Sequence, residues 1–459
     1  MRAYRSTLAS GNAGSKYTVS IIRNNKIFPQ SSSYKYAFQG NTTIVDNVII
    51  GKKVGRCSGM FADCTNFNQN VQLSGAVIQC NDMFKNCTNL DQNIKIPDGV
   101  TSCDNLFYGC SKLNQNIKIP NSAVSCSNTF YNCTNLNKPI DIPSNVGWAY
   151  CMFTNCTKFN QPVNAPGVVT GIYMFSNCVS LNQNVQIASD SANSGSCSMM
   201  FDNCRNFNQN FQIPPNTYDC TGMFGNCINL NQNIKLPTYQ NARVASMFYG
   251  CSSLNQNISI PATLNYDARN MFNGCSSLDQ PIYISDNVNW CSDMFRNTNM
   301  TSIGHLPKYG KDFTNMFADS KFNSFIEFNT YRHNAYETLP YTYCSNMFAN
   351  SKMNSDIVFS EVGNINGYAG DNMLRGCKEF GANVYFYRNN VAWSNIFYDC
   401  NRQKKKTIHC LSSDTYFFNQ LTSNRQDSSL VGVNTEWTDI EGGRYNASYN
   451  IYVYNDLTL

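Results

Sequence analysis

Apolar residues fall in this chain at two alternating spacings. Counting from Cys80, they stand at Cys80, Met83, Phe84 and Cys87, and then at Leu90, Ile94 and Ile96. Offsets of three and four place the first group on one face of a helical turn, whereas Ile94-Lys95-Ile96 alternates as a half-buried strand does. Pro97 ends the run, because proline has no N–H to donate to a ladder. Each block therefore predicts a short helical or 3-10 arc, a polar corner and a brief strand.

The block recurs. Aligned on a Met-Phe pair, it starts at Met60, Met83, Leu106, Thr129, Met152, Met174, Met200, Met223, Met247, Met271, Met294, Met316, Met347, Met373 and Ile396, which makes fifteen copies. Half of the fourteen steps are 23 residues; the others are 22, 24, 26 and 31, so extra residues enter at particular copies as loops on one side of a coil. One helical turn and three strand residues bury too little surface to fold alone. Stacking removes that difficulty, with the strands paired in parallel and Phe61, Phe84, Phe107, Phe130, Phe153, Phe175, Phe201 and Phe224 lining one interior. The expected fold class is an α+β solenoid, a right-handed coil with a short parallel strand and a short helical or 3-10 arc per repeat.

Residues 57–410 form this array. Residues 1–56, with the strand-like Tyr17-Thr18-Val19-Ser20-Ile21-Ile22, read as an N-terminal cap or docking segment, and residues 411–459 as a β-rich C-terminal cap. An uncapped terminal coil would expose core and sheet edge. The corners are as regular as the arcs: Asn68-Gln69-Asn70, Asn114-Gln115-Asn116, Asn182-Gln183-Asn184, Asn208-Gln209-Asn210, Asn231-Gln232-Asn233 and Asn255-Gln256-Asn257. Amides at one position of every coil predict a structural hydrogen-bond ladder.

Twenty-two cysteines follow the same period, with Cys57 and Cys64, Cys80 and Cys87, Cys103 and Cys110 each seven apart. No C-x-x-C occurs, and only His305, His333 and His409 are available beside them, so no zinc or iron-sulfur ligand set is expected. A ladder of buried thiols packed as small apolar groups is the expectation, since side chains that point alike in adjacent coils are poorly aimed for a bridge.

Charged residues make up 14% of the chain and the net charge is +5, which leaves no electrostatic footprint for nucleic acid. The dense basic run, Arg402 with Lys404, Lys405 and Lys406, reads as a solvated edge of the array. No paired carboxylates recur with a nucleophile pattern and no phosphate-binding loop motif is present, so neither a catalytic site nor a cofactor site is expected. Met1-Arg2-Ala3-Tyr4-Arg5 leads into polar residues without a signal-peptide core, and no run is long enough to span a membrane.

Cys87-Thr88-Asn89-Leu90, Ile94-Lys95-Ile96-Pro97 and Val100 together resemble the BspA-type leucine-rich repeat, whose pattern runs C-x-x-L-x-x-I-x-I-P-x-x-V before an Ala-Phe pair. The Met-Phe variant also resembles a related bacterial surface-protein repeat. The likeness covers about residues 57 to 410. The chain departs from the pattern in its Asn-Gln-Asn corner, with one residue more between Leu and Ile and one fewer before the Phe, so the strand register is left to the structure. The resemblance implies a leucine-rich-repeat-like fold and a recognition role without catalysis.

Regularity breaks between Met316 and Met347. That 31-residue step carries Phe328, Tyr331, Arg332, His333, Tyr336, Tyr341 and Tyr343, the aromatic and Arg content of a recognition patch. The same residues would equally close a kink in the spine or meet a neighbouring subunit. Adhesin-like repeats without a visible export signal lead to the expectation of a virion-attached recognition or structural protein, such as a phage tail or capsid appendage. Its partners would be a protein or glycan receptor on a cell surface, and other structural proteins of an assembly through a terminal segment. A bacterial surface or secreted adhesin, and a cytoplasmic scaffold, are the alternatives.

Overall fold

The peptide amides of one arc settle how the coil is built. In the coil that begins at Cys103, the N–H groups of Cys103, Asn105, Phe107 and Gly109 donate to the carbonyls of Ser125, Ser127, Thr129 and Tyr131 in the next coil, at 2.7–2.9 Å. The N–H groups of Leu106, Tyr108 and Cys110 donate three residues back, to Cys103, Asn105 and Phe107. A helix would keep all of these bonds to itself. Here two positions per arc prevent it, because they lie at positive φ: Asn105 (55°) and Gly109 (73°), Asn128 (56°) and Asn132 (60°), Asn270 (56°) and Gly274 (79°). Asn, Asp and Gly enter that region at low cost and other residues do not. The arc is thus a run of overlapping β-turns, in which every second turn has a left-handed third residue. No helix occurs among the described residues. The helical or 3-10 arc expected from the apolar spacing is corrected accordingly.

This computed structural model describes residues 32–188, 195–261, 263, 267–328, 342–359, 368–386 and 396–400, with short strands at 4–5, 20–22, 26–27, 406–410, 435–439 and 446–453. The chain divides into two units. The first comprises Met1–Thr217 with Asn226–Leu230, and the second Tyr218–Gly225 with Asn231–Leu459.

In the first unit the apolar offsets become a column of rings. Phe38, Phe61, Phe84, Phe107, Phe130, Phe153, Phe175 and Phe201 follow one another at centroid separations of 5.4–5.7 Å, with planes within 12° of parallel. All are buried. Each ring gains about 1.5–3 kcal/mol from burial, and a well-placed aromatic neighbour adds about 0.5–1.5 kcal/mol. Thr129 replaces the usual Met beside this column; its buried hydroxyl donates to the Cys103 carbonyl at 2.9 Å, so no polar group is stranded. The column begins at Phe38, upstream of the first Met-Phe pair, in an arc with Tyr36 (56°) and Gly40 (70°) at the left-handed positions.

Strands complete the first unit. β1 (Tyr4–Arg5) and β2 (Ser20–Ile22) are antiparallel, as are β2 and β3 (Lys26–Ile27); β3, β4 (Val48–Ile50) and β5 (Val71–Gln72) then run parallel. β6 (Val163–Ala165) pairs in parallel with β7 (Val185–Ile187). Between β5 and β6 the coils keep the strand's alternation, with Ile94 and Ile96 buried around exposed Lys95, and Ile117 and Ile119 around Lys118, yet they form no strand ladder. The segment is three residues long, closed by Pro97 or Pro120, and at Ile117 the N–H turns back to Gln115.

The second unit is built likewise. Phe224, Phe248, Phe272, Phe295, Phe317 and Phe348 stack at 5.5–5.7 Å. β8 (Ile326–Phe328), β10 (Ile357–Phe359), β12 (Asn383–Phe386), β13 (Lys406–Cys410) and β14 (Thr435–Asp439) form a parallel sheet, to which β15 (Asn446–Val453) adds antiparallel. β9 (Thr342–Tyr343) pairs with β11 (Tyr368–Ala369).

The corner amides form the ladder their spacing predicts. The side-chain oxygen of Asn68 accepts the N–H of Asp91, that of Asp91 the N–H of Asn114, and that of Asn114 the N–H of Asn137, at 2.8–2.9 Å. Gln92 and Gln115 donate their side-chain amides to Asn68 and Asp91. Corner and arc are thereby held in one register.

The left-handed arc position gives a direct test. Replacing Asn128 by Ala should cost about 1–2 kcal/mol in urea denaturation, while Asn128→Gly should stay within about 0.5 kcal/mol of the parent. Equal losses for the two would show that backbone handedness does not govern the arc.

Candidate binding surface

The side chains most able to do chemistry, the thiols, are committed to the interior. Twenty-one described cysteines are buried as thiols. Those at the end of each arc share one partner: the Cys87, Cys110, Cys133 and Cys156 thiols donate to the carbonyls of Phe61, Phe84, Phe107 and Phe130 one coil back, at 3.0–3.1 Å. Where the second unit lacks cysteine there, Thr298 and Ser320 place hydroxyls that donate within their own arc instead, to Phe295 and Phe317 at 2.7 and 2.6 Å. The position therefore selects a small donor, not sulfur chemistry. Burial pushes the Cys57 thiol up to about 12 and the Cys64 thiol to about 11, which withholds the reactive thiolate. Among the described residues no group of three or more His, Cys, Asp or Glu is placed to hold a metal ion.

The aromatic step between Met316 and Met347 is placed only in part. Phe328 is buried in β8, stacked on Phe359 at 4.3 Å and edge-on to Phe313 at 5.8 Å. It belongs to the core and presents nothing to a partner, because the alternation Ile326-Glu327-Phe328 turns both apolar members inward. Tyr343 is half-buried in β9, its N–H donating to Lys311 and its carbonyl accepting from Phe313. Tyr331, Arg332, His333, Tyr336 and Tyr341 lie outside the described residues, as do Arg402, Lys404 and Lys405 of the basic run. Phe325 is exposed one residue before β8.

Two surfaces are open in the first unit. One is the outward strand row: Gln72, Lys95, Lys118, Asp141, Asn164, Gln186 and Gln212 are all exposed, polar and of mixed charge. The other lies where the chain enters the arc. The residue before each arc bridges its equivalents through backbone, in the order Ser102, Ser125, Trp148, Thr170. Alternation about buried Ala149 leaves Trp148 57% and Tyr150 43% exposed. Tyr150 meets Tyr173 edge-on at 6.3 Å, and Tyr131 stacks on Tyr108 at 4.6 Å, with the Lys85 ammonium 5.3 Å from the Tyr108 ring. The Tyr150 phenol is held above its usual range chiefly by Cys151, with smaller contributions from burial, Tyr173 and Tyr131, which places these rings in one neighbourhood. The sequence carried a usable sign of this surface: aromatic residues on both sides of a buried arc position.

Two family models match the chain. One, described as Mycoplasma protein of unknown function, DUF285, matches residues 32–142, 78–170 and 124–235. The other, the BspA type leucine-rich repeat region, matches residues 196–323 with six copies. Residues 196–323 carry the BspA-type leucine-rich repeat. No curated protein sequence matches it. Among solved structures it is similar to a leucine-rich repeat protein from Bacteroides ovatus ATCC 8483, at 15% identity and a TM-score of 0.44, covering 93% of this chain and 90% of that one. It is also similar to a leucine-rich cell surface protein from Faecalibacterium prausnitzii A2-165, at 20% identity and a TM-score of 0.36, covering 64% of this chain and 86% of that one. Short parallel strands and turn-built arcs set the positions of the exposed rings among the described residues. No helix among the described residues is long and apolar enough to cross a membrane.

The thiols predict how the array responds to alkali. A thiol that titrates higher when folded than when unfolded contributes stability that is complete below the unfolded value, about 8.5, and is lost as pH rises through the folded one. The urea midpoint should therefore hold to about pH 8 and fall steadily above about pH 9, with native thiols resisting iodoacetamide until denaturant is added. A midpoint that is level across that interval, or rapid native alkylation of Cys87, would contradict the buried ladder.

Proposed function

We propose that this chain is a non-catalytic binding protein of the bacterial cell surface, an adhesin-type protein built from solenoid-type coils. The observation that carries this reading is the division of labour in the arcs of the first unit: the thiols and phenylalanines are spent on a rigid interior, while Trp148 and Tyr150 are left outside it. Exposed aromatic rings on a stiff backbone give contact area at little entropic cost. The BspA-type match supports placement at a bacterial surface. The expectation of a virion-attached role finds no support in the comparisons, and the bacterial alternative replaces it.

In this reading residues 1–56 and 411–459 cap the ends of the array. The antiparallel pairings β1–β2–β3 and β14–β15 support it, since each sets antiparallel strands against a parallel ladder edge. The partner is a protein or glycan receptor on another cell.

Antibody against the chain should label intact, unpermeabilised producing cells. The chain displayed on a non-adherent bacterium should raise attachment to epithelial monolayers above the empty-vector strain. Labelling only after permeabilisation, together with no gain in attachment, would refute the proposal.

A further inference from the structure

The position that enters each arc carries tryptophan twice among the described residues, and the two indoles have opposite surroundings. Trp290 is bridged on either side by Asp267 and Asp312. Arg269 forks onto Asp267, with Nε and Nη2 at 2.9 and 2.7 Å from its two oxygens, and lays its guanidinium 6.0 Å from the Trp290 ring centroid. That ring face is occupied from within. Trp148 is bridged by Ser125 and Thr170, whose side chains are too short to cover an indole, and no cation–π or ring partner engages it among the described residues. Its backbone is nevertheless pinned, since the Trp148 carbonyl accepts the Cys126 N–H at 2.9 Å.

The polar side chains that the coil before Trp148 brings to this face are hydroxyls, tied to a carboxylate. Ser125 Oγ donates to Asp104 Oδ1 at 2.6 Å, the Ser127 N–H donates to the same oxygen at 2.8 Å, and the two serine hydroxyls stand 3.5 Å apart. Lys85, a cation of the neighbouring arcs, is already held over Tyr108. We propose that Trp148 and Tyr150 form a binding platform for a neutral hexopyranose. The sugar's C–H face lies on the indole, and its hydroxyls exchange hydrogen bonds with Ser125, Ser127, Thr170 and Tyr150.

Three features select this ligand class. A pyranose offers one flat, weakly positive C–H face to the negative face of an aromatic ring, and hydroxyls around its edge. An anionic sugar would meet the Asp104 carboxylate, while the Lys85 ammonium is committed to the Tyr108 face. A protein partner would want large apolar anchors seated in a desolvated pocket, whereas Trp148 and Tyr150 stand open to solvent on a surface that also carries the Ser125 and Ser127 hydroxyls. The inference rests on the reading of the chain as a binding protein and names the ligand of that site.

The test uses the full chain on an array of neutral hexose and N-acetylhexosamine oligosaccharides, with titration of each hit. Binding to at least one neutral glycan is expected. Trp148→Ala should weaken it about tenfold or more, Tyr150→Ala should weaken it less, and Tyr283→Ala, which removes an exposed ring of the second unit, should leave it unchanged. Melting temperatures should match the parent in all three variants. No hit on the array, or a hit indifferent to Trp148→Ala, overturns the proposal. Attachment to cells that survives periodate treatment of their glycans, and still needs Trp148, points to a protein ligand and overturns it too. Attachment retained by Trp148→Ala keeps the surface-binding function while rejecting this site, so the two readings fail separately.

Discussion

Alternate amides of each arc donate along the stack, and the fold depends on that one arrangement. An N–H such as that of Phe107 has no acceptor inside its own coil; it is satisfied by Thr129 in the next. Each coil therefore supplies carbonyls to one neighbour and takes them from another. The left-handed Asn, Asp and Gly positions point those amides outward, the phenylalanine rings set the separation at which the bonds close, and the terminal thiols reach back to the preceding coil. No element of the arc is stable by itself.

Most of this was legible in the sequence. The 23-residue period, the phenylalanine column, the buried thiols, the outward strand residues and the amide corner all follow from which residues recur at which offset. The helical arc did not follow, because offsets of three and four are shared by a helix and by consecutive turns. The discriminating signal lay at the polar positions instead: Asn105 with Gly109, Asn128 with Asn132 and Asn270 with Gly274 are four apart, and residues that favour positive φ at that interval exclude a helix. The strand ladder was overestimated for a related reason. Side-chain alternation at Ile117-Lys118-Ile119 reports burial on one face, while Pro120 and the turn at Gln115 decide whether the backbone pairs.

The candidate site was less legible, since the sequence draws the eye to irregularity. Phe328 shows why: it sits in the longest step, yet strand alternation turns it into the core. Trp148 sits in a regular coil and differs from its neighbours only in what it exposes. A periodic scaffold lets such residues change freely, because the entry position has its backbone satisfied whatever its side chain is. Ser125, Trp148 and Thr170 occupy equivalent places with equivalent bridges. Recognition chemistry on this fold is accordingly written one residue per layer.

Phe317 and Phe348 are 31 residues apart in the chain and 5.7 Å apart in space, the same separation as Phe61 and Phe84, which are 23 apart. Pitch is indifferent to contour length, so a longer step leaves these two layers at the common spacing. Crossover between equivalent points of two copies would add or delete a whole layer with every surviving junction already complementary. Copy number in such a gene is then an evolutionary dial for reach, turned without inventing a new interface.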